Sequence, residues 1–317
     1  MPAVFLTIDT EFRWGHHAAG LALPAIGARS IEPAGVGLAW QLDVLARHQL
    51  KACFFVDPMP ALVYGADAIA AVVAPILAAG QEVQLHLHPN WVGACAGDGG
   101  ARHGRFELID HSQGAQGALL AKAIALLTAA GAPAPVAFRA GSYAANDDTL
   151  SALAMLGIRY DSSHNGAHAP WPSAIGLPPS RIAPVARRGV VEVPVTVIED
   201  RPGRYRNFQI CALSIAEMRA ALDHAVAHDH AAVTIVSHSF ELANRAGTAP
   251  NRVHVRRFEA LCAMLAARAD ALPTRHFSER PCLPLDCADR PLPHSAVRRH
   301  WRQVEQAWST LVAERAA

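Results

Sequence analysis

Short apolar runs alternate with longer helical patterns along most of this 317-residue chain. The first apolar run, residues 4–8, is followed after a long loop by a helical pattern at residues 36–48. Strands that alternate with helices form parallel βα units, because each helix returns the chain to the same edge of the sheet. About seven such strands can be recognised. The alternation therefore predicts an α/β protein with a distorted (β/α) barrel, although periodicity alone does not distinguish a closed barrel from an open sheet.

The later strands and helices follow in the same order. Further strands are predicted at residues 51–56, 82–88, 135–139, 158–161, 190–195 and 233–238. Helices are predicted at residues 66–79, 113–130, 147–156, 252–268 and 296–313. Between them we expect long loops at residues 12–33, 92–112 and 162–188, and loops of that length in a compact domain are usually functional or disordered.

The chain divides into two predicted parts. Residues 1–279 are predicted to form the barrel, and residues 280–317 a proline-rich linker with a C-terminal helix. In that helix Trp301, Val304, Trp308 and Leu311 recur at helical spacing. Such a stripe predicts that the helix packs on the barrel through these side chains, with a homodimer contact as the alternative.

Composition narrows the class of partner and the compartment. The formal net charge is +1, so no basic field indicates nucleic acid as a partner. Six scattered cysteines without a CxxC pair favour reduced thiols. The N-terminus MPAVFLTID lacks the features of a signal peptide, and the most apolar segment, residues 68–79, is too short to span a bilayer. We therefore expect a cytoplasmic protein without a membrane span.

Ionisable side chains end most of the predicted strands. The carboxyl ends of parallel strands in an α/β barrel meet on one face, which is where active sites lie. Groups from distant parts of the sequence should therefore converge there. They are Asp9, Glu11, Asp57, His86, His88, Arg139, Asp161 and His238.

Two of these groups, His86 and His88, stand two residues apart at the end of a strand. Successive side chains of a strand alternate between its faces, so both imidazoles point the same way. Neutral imidazoles converging on one side can hold a transition metal ion. Asp9 and Glu11 share a face by the same rule, and spacing alone does not decide which of them would contact the metal.

Five short segments resemble, in order, the motifs of the NodB-type polysaccharide deacetylases, carbohydrate esterase family four. They are LTIDTEF at residues 6–12, GQEVQLHLHP at 80–89, FRAGSYAAN at 138–146, RYDSSH at 159–164 and TIVSHSFEL at 234–242. The resemblance implies a distorted barrel, a divalent metal ion that we expect to be Zn²⁺, and hydrolysis of an acetylated sugar.

The same resemblance implies roles for individual residues. Asp9 would be the catalytic base and His238 the general acid, while the backbone near Tyr143 would stabilise the oxyanion. Arg139 would orient Asp9, with Asp161 as its partner.

Two departures define a divergent subgroup. Thr10 stands where the family has its metal-binding Asp, so Glu11 is expected to replace that ligand. The family spaces its two metal-binding histidines four apart, whereas His86 and His88 are two apart and Asn90 occupies the expected second position.

The sequence thus predicts a metal-dependent hydrolase that removes an N-acetyl group from a sugar or glycan precursor. Trp91, Ser142 and Asp57, which follow these strands, are expected to contact the substrate. Two alternatives stay open: a hydrolase of a non-sugar amide, and a barrel that binds metal or sugar without turnover. The preference between ester and amide also stays open.

Overall fold

A curved, mostly parallel β-sheet forms the centre of the computed structural model, which describes residues 1–97 and 105–310. The described residues form the strands β1 (Ala3–Thr10), β2 (Cys53–Val56), β3 (Glu82–Leu87), β4 (Ala137–Ala140), β5 (Tyr160–Asp161), β6 (Val185–Arg187), β7 (Val190–Glu192), β8 (Val197–Arg201), β9 (Arg204–Asn207) and β10 (Ala232–His238). Eight of them make up this sheet, in the order β10-β1-β2-β3-β4-β5-β7-β6. Six parallel pairings join seven of these eight strands, and β6 pairs antiparallel with β7 at the edge of the sheet.

Helices cover the outer face of the sheet and connect its strands. They are α1 (Trp14–Ala18), α2 (Leu23–Ser30), α3 (Leu38–Arg47), α4 (Ala61–Tyr64), α5 (Ala66–Ala78), α6 (Gln113–Ala129), α7 (Asp147–Met155), α8 (Ile215–Ala227), α9 (Arg252–Ala266) and α10 (Ala296–Trp308). Every residue of β2, β3 and β4 is buried. Continuous apolar runs rather than alternating ones are what parallel strands need when both of their faces are covered.

The outer edge of β10 is closed by irregular chain rather than by a regular strand. The N–H of Thr196 donates to the carbonyl of Thr234 at 3.1 Å, and the N–H of Val236 donates to the carbonyl of Phe208 at 2.9 Å. β8 and β9 form a separate hairpin. The barrel is therefore distorted, because irregular segments at residues 193–196 and 208–210 form part of its wall.

The predicted fold class, a distorted (β/α) barrel of about seven parallel strands, is confirmed. Each predicted helix is present, and the last is described as far as residue 310. The expected loop at residues 12–33 is wrong, since α1 and α2 lie within it. The sequence analysis also missed α4, α8, β6, β8 and β9, which are short or carry weak apolar periodicity.

The C-terminal helix α10 contacts the barrel through its polar side. Arg302 is 3% exposed; its Nε donates to Glu217 Oε1 at 3.0 Å, and its guanidinium also pairs with Asp200. Trp301 and Trp308 are 60% and 64% exposed. The predicted packing through the apolar stripe is therefore wrong for the described part of the helix; Leu311 lies outside the described residues. Ion pairing of Arg302 with two carboxylates orients the helix instead.

Among the described residues, no helix is long and apolar enough to cross a membrane.

Candidate active site

The carboxyl ends of β10, β1, β3 and β4 bring the predicted polar residues to one edge of the sheet, called here the polar edge. Asp9 lies beside His238 in the register of β1 and β10, and His86 lies beside Arg139 in that of β3 and β4. Glu11 and His88 follow directly after β1 and β3. Pairing of neighbouring strands thus assembles groups that are up to 229 positions apart in the sequence.

Glu11, His86 and His88 form a compact cluster on the polar edge. The Glu11 Oε2 atom lies 2.5 Å from His88 Nε2 and 3.5 Å from His86 Nε2. One potential ligand atom from each residue falls within 4.8 Å of the others, and no other such group occurs in the described ranges. Burial disfavours the charged forms, but the imidazoles hold the pKa of Glu11 well below its usual value, and Glu11 raises the pKa of His88 to about 9. The cluster therefore favours a positive charge, either a proton or a metal ion.

Backbone groups fix both imidazoles. The His86 Nδ1 atom lies 2.7 Å from the carbonyl oxygen of Arg139, which can only accept, so Nδ1 donates to it and Nε2 is the ring nitrogen that faces Glu11. This is the arrangement that orients metal-binding histidines. Gly141 packs against the other ring: a Cβ atom built there would lie 2.3 Å from His88 Nδ1.

We expect Gly141→Ala to displace the His88 ring, because the added methyl group overlaps it. Metal affinity should fall by about 10- to 100-fold, the usual effect of disturbing the groups that orient a ligand. Competition with a chromophoric chelator for Zn²⁺ measures this change. Gly114→Ala is the control, since a Cβ at Gly114 meets nothing within 4 Å. Equal affinity of Gly141→Ala and the parent protein would show that His88 is not a ligand.

Two further oxygen atoms beside the cluster have no hydrogen-bond partner within the described ranges. They are Asp57 Oδ2 and Asn90 Oδ1, and both are buried. The other oxygen of Asp57 accepts from the Met59 N–H at 3.0 Å, as expected of a turn, and burial raises the pKa of Asp57 to about 6. Unpaired buried polar atoms are costly, and oxygen donors can complete the coordination of a divalent ion. The residues present therefore fit a metal ion.

Asp9 is buried and bonded to a fully buried arginine. Arg139 Nη1 donates to Asp9 Oδ1 at 2.7 Å and to Thr7 Oγ1 at 2.8 Å. The rest of the guanidinium donates to the carbonyl and hydroxyl oxygens of Ser162, each at 3.0 Å, and its face covers the Phe55 ring. Arg139 is thus held on all sides and presents a fixed positive charge to Asp9.

The expected pair between Arg139 and Asp161 is wrong: in the described part of the chain no ion pair joins them. Asp161 instead accepts from the N–H and the hydroxyl of Ser163, at 3.1 and 2.8 Å. It also bonds the side chain of Glu192, its neighbour in the register of β5 and β7. Burial raises the pKa values of both acids, and their mutual repulsion raises that of Glu192 further. The two carboxyl groups are therefore arranged to share a proton.

His238 lies across Asp9 from Arg139 and has its own carboxylate. Its Nε2 atom is 3.8 Å from Asp9 Oδ2, and its Nδ1 atom is 3.7 Å from Glu241 Oε2. Glu241 is fixed in turn, since it accepts from Gln209 Nε2 at 2.8 Å and from the Cys211 N–H at 3.0 Å. Burial lowers the pKa of His238, but Glu241 and Asp9 outweigh this effect and raise it to about 9. The raised pKa favours the protonated imidazole at neutral pH.

The segment after β4 turns sharply at the polar edge. Ser142 and Tyr143 both have left-handed backbones, with φ of 54° and 59°. Consecutive left-handed residues are strained and aim backbone N–H groups out of the turn. The Tyr143 hydroxyl is buried without a hydrogen-bond partner among the described residues, and burial raises its pKa above the ordinary value.

A cavity of about 270 Å³ opens onto the cluster of Glu11, His86 and His88. Trp91 belongs to its wall but is only 1% exposed, because its ring packs against Trp14, His17 and Tyr64. It therefore supports the cavity rather than offering a free ring face to a substrate. The lining residues are Glu11, Phe12, Arg13, Trp14, Gly15, His88, Asn90, Trp91, Phe106, Glu107, Ser142 and Phe240.

Sequence reasoning missed Glu241, Gln209, Glu192 and Gly141. Glu241 stands three residues after His238, and that spacing was the one available signal for it. Gln209 and Glu192 reach the site from irregular or short elements, so nothing in the local sequence marks them. The role of Gly141 depends on how close the His88 ring comes, which no pattern reveals.

The mostly parallel sheet with its connecting helices defines an α/β protein with a distorted barrel. The polar edge of that sheet carries histidines and carboxylates. The same fold occurs in a probable polysaccharide deacetylase from Pseudomonas aeruginosa PAO1, with 13% identity, a TM-score of 0.53 and coverage of 96% of this chain and 92% of that one. A putative polysaccharide deacetylase from Mycobacterium smegmatis is 19% identical, with a TM-score of 0.48 and coverage of 86% and 92%. The sequence matches no family model and no curated protein.

The fold is not limited to one reaction. A 4-alpha-glucanotransferase from Thermococcus litoralis has a TM-score of 0.51 at 9% identity, and the match covers 88% of this chain and 40% of that chain. At such identities structural likeness shows the fold alone. The function has to be argued from the residues of the polar edge.

Proposed function

We propose that this protein is a divergent NodB-type polysaccharide deacetylase that hydrolyses an N-acetyl group from a sugar or glycan precursor. One observation carries the proposal: Asp9 and His238 stand side by side on the polar edge that also bears the Glu11, His86 and His88 cluster. A base, an acid and a metal-binding set are what amide hydrolysis by water requires.

Glu11, His86 and His88 would hold a divalent ion, with Asp57 and Asn90 within reach as oxygen donors. Two imidazoles and a carboxylate are a donor set typical of catalytic zinc. The ion would supply Lewis acidity to the acyl oxygen and lower the pKa of water.

Asp9 takes the proton from the attacking water as the water oxygen bonds to the carbonyl carbon. The guanidinium of Arg139, 2.7 Å from Asp9 Oδ1, holds the carboxylate in place by a charge-assisted hydrogen bond and leaves Oδ2 to accept the proton. Arg139 is not exposed, so water does not screen this charge.

His238 gives its proton to the nitrogen of the leaving group as the carbon–nitrogen bond breaks. Glu241 orients the imidazole and keeps it protonated. The products are acetate and the free amine. The backbone N–H near Tyr143 would stabilise the oxyanion of the tetrahedral intermediate, as expected for donors fixed before the reaction.

A substrate with a sugar ring suits the cavity, because Trp14, Phe106 and Phe240 contribute aromatic side chains to its lining. Ser142 and Glu107 add polar groups at the same wall. Apolar faces combined with a few polar groups are the usual composition of small-ligand sites.

Release of acetate from a panel of N-acetylated sugars and glycans, with and without chelator, tests the proposal. We expect release from at least one member, loss with chelator and recovery when Zn²⁺ is restored. O-acetylated sugars and non-sugar N-acetyl compounds complete the panel. Release only from the non-sugar compounds would make the protein an amidase of another substrate class. Metal binding without any turnover would favour the binding-only alternative.

Activity is expected to fall as pH rises through about 9. His238 donates a proton only below its folded pKa, which Glu241 and Asp9 raise to about 9 against the effect of burial. A cation held by Glu11 offsets the contribution of that carboxylate, so the alkaline limb depends on Glu241 and Asp9. Glu241→Gln should lower the pKa of His238 and move the limb to lower pH, as a pH profile of kcat would measure. An unmoved limb would remove Glu241 from this role.

A further inference from the structure

Three histidines gather at the edge of the sheet opposite the polar edge. His224 lies in the last turn of α8 and His228 directly follows that helix, while His230 precedes β10. The strand β10 separates this group, called here the histidine triad, from His238 at its other end. The triad takes no part in the chemistry of the polar edge.

The histidine triad lines a cavity of about 930 Å³. Ring centroids lie 4.1 Å apart for His224 and His228, 5.2 Å for His224 and His230, and 6.3 Å for His228 and His230. Imidazoles that share one tetrahedral ion at about 2.0–2.1 Å place their ring centroids roughly 5 Å apart. The observed separations bracket that value.

His230 is the histidine of the triad whose buried ring most needs a bound ligand. It is 4% exposed, yet neither ring nitrogen has a hydrogen-bond partner in the part of the chain that the structure describes. Leaving a buried polar group unpaired costs about 1–3 kcal/mol. Burial also lowers the pKa of His230, which keeps a nitrogen lone pair available.

We propose that the histidine triad binds a second divalent transition metal ion, of the class of Zn²⁺, Ni²⁺ or Cu²⁺. Imidazole nitrogen is a donor that these ions prefer over Mg²⁺ or Ca²⁺. His224 is already oriented: its Nε2 donates to the carbonyl of Arg290 at 3.1 Å, which leaves Nδ1 as a lone pair. The C-terminus of α8 adds the negative end of a helix dipole, which favours a cation.

The triad closes by a side-chain rotation. Only the Glu11 cluster has its ligand atoms within 4.8 Å of one another among the described residues, so the triad is not assembled as it stands. His228 is exposed, and within the described ranges its ring makes one hydrogen bond, from Nδ1 to the carbonyl of His224 at 2.9 Å. Giving up an exposed hydrogen bond costs little, because water replaces it.

Metal binding to the histidine triad would hold the proline-rich segment against the barrel. Asp289 Oδ2 accepts from the Ala231 N–H at 2.8 Å, and Arg290 bonds His224 as described. Both residues line the same cavity. Fixing the triad would therefore also fix the segment around residues 289–290.

Zn²⁺ titration by calorimetry tests the site in a His88→Ala background, where the cluster of the polar edge is disabled. We expect His88→Ala to bind about one ion per chain, and the further change His230→Ala to abolish this binding. His228→Ala, at an exposed position that folding does not require, should weaken it by at least about tenfold. His300→Ala, another exposed histidine, is the matched control and should bind like the parent.

Limited proteolysis of the same proteins gives a second readout. Zn²⁺ should slow cleavage around residues 289–290 in the His88→Ala protein and leave it unchanged in His88→Ala with His228→Ala. If His88→Ala binds no ion, or if neither His228→Ala nor His230→Ala changes the affinity, the proposal is overturned.

Discussion

Asp9→Asn is expected to lower kcat by about 10²–10⁴-fold, the usual share of general-base catalysis, while metal content stays full. The amide cannot accept the proton of the attacking water. It still fits beside Arg139, whose Nη1 bonds Asp9 Oδ1, because an amide oxygen also accepts. Metal content by elemental analysis and kcat from acetate release measure the two effects separately.

Glu11→Gln, in contrast to Asp9→Asn, is expected to lower the metal content. Glu11 contacts both His86 and His88, so loss of its charge weakens the metal site itself, and excess Zn²⁺ should restore part of the activity. Thr10→Ser is the matched control: Thr10 is buried on the other face of β1, and its hydroxyl donates to the carbonyl of Ile8. It should change neither metal content nor kcat. If metal falls in Asp9→Asn and stays full in Glu11→Gln, the two roles are reversed.

Arg139→Met is expected to lower the free energy of unfolding by about 3–5 kcal/mol, the typical cost of breaking a buried pair by removing one partner. The change strands Asp9, which is 2% exposed, and leaves the hydroxyl of Thr7 and the oxygens of Ser162 without their donor. The methionine chain is flexible and fills part of the volume, so lost charge rather than lost packing dominates. Urea denaturation measures the difference.

Arg159→Met is the control for this stability prediction. Arg159 is exposed next to β5, and its guanidinium lies over the Tyr160 ring, 5.6 Å from the ring centroid. Its loss should change the free energy of unfolding by less than about 1 kcal/mol, as is typical of surface substitutions. Equal effects at the two arginines would show that Arg139 does not form a buried, structurally required pair with Asp9.

In the C-terminal helix α10, the local sequence pattern predicts the helix itself but not the face that is buried. Spacing correctly placed a helix at the end of the chain, and it correctly grouped Trp301, Val304 and Trp308 on one side. It assigned that side to the barrel, whereas Arg302 faces inward to Glu217 and the apolar side chains are exposed. Which face is buried depends on the carboxylates that the barrel offers, and these are distant in sequence.

The sequence by itself determined the alternation of strands and helices, the distorted barrel, and the strand ends that carry Asp9, His86, Arg139 and His238. It could do so because the faces of a strand follow a two-residue period, and parallel strands bring their carboxyl ends to one edge. Only the tertiary structure decided the partners of these groups. Arg139 bonds Asp9 and Ser162, whereas Asp161 bonds Glu192. A side chain's partner is set by its neighbours in the sheet and by burial, not by nearness in the sequence.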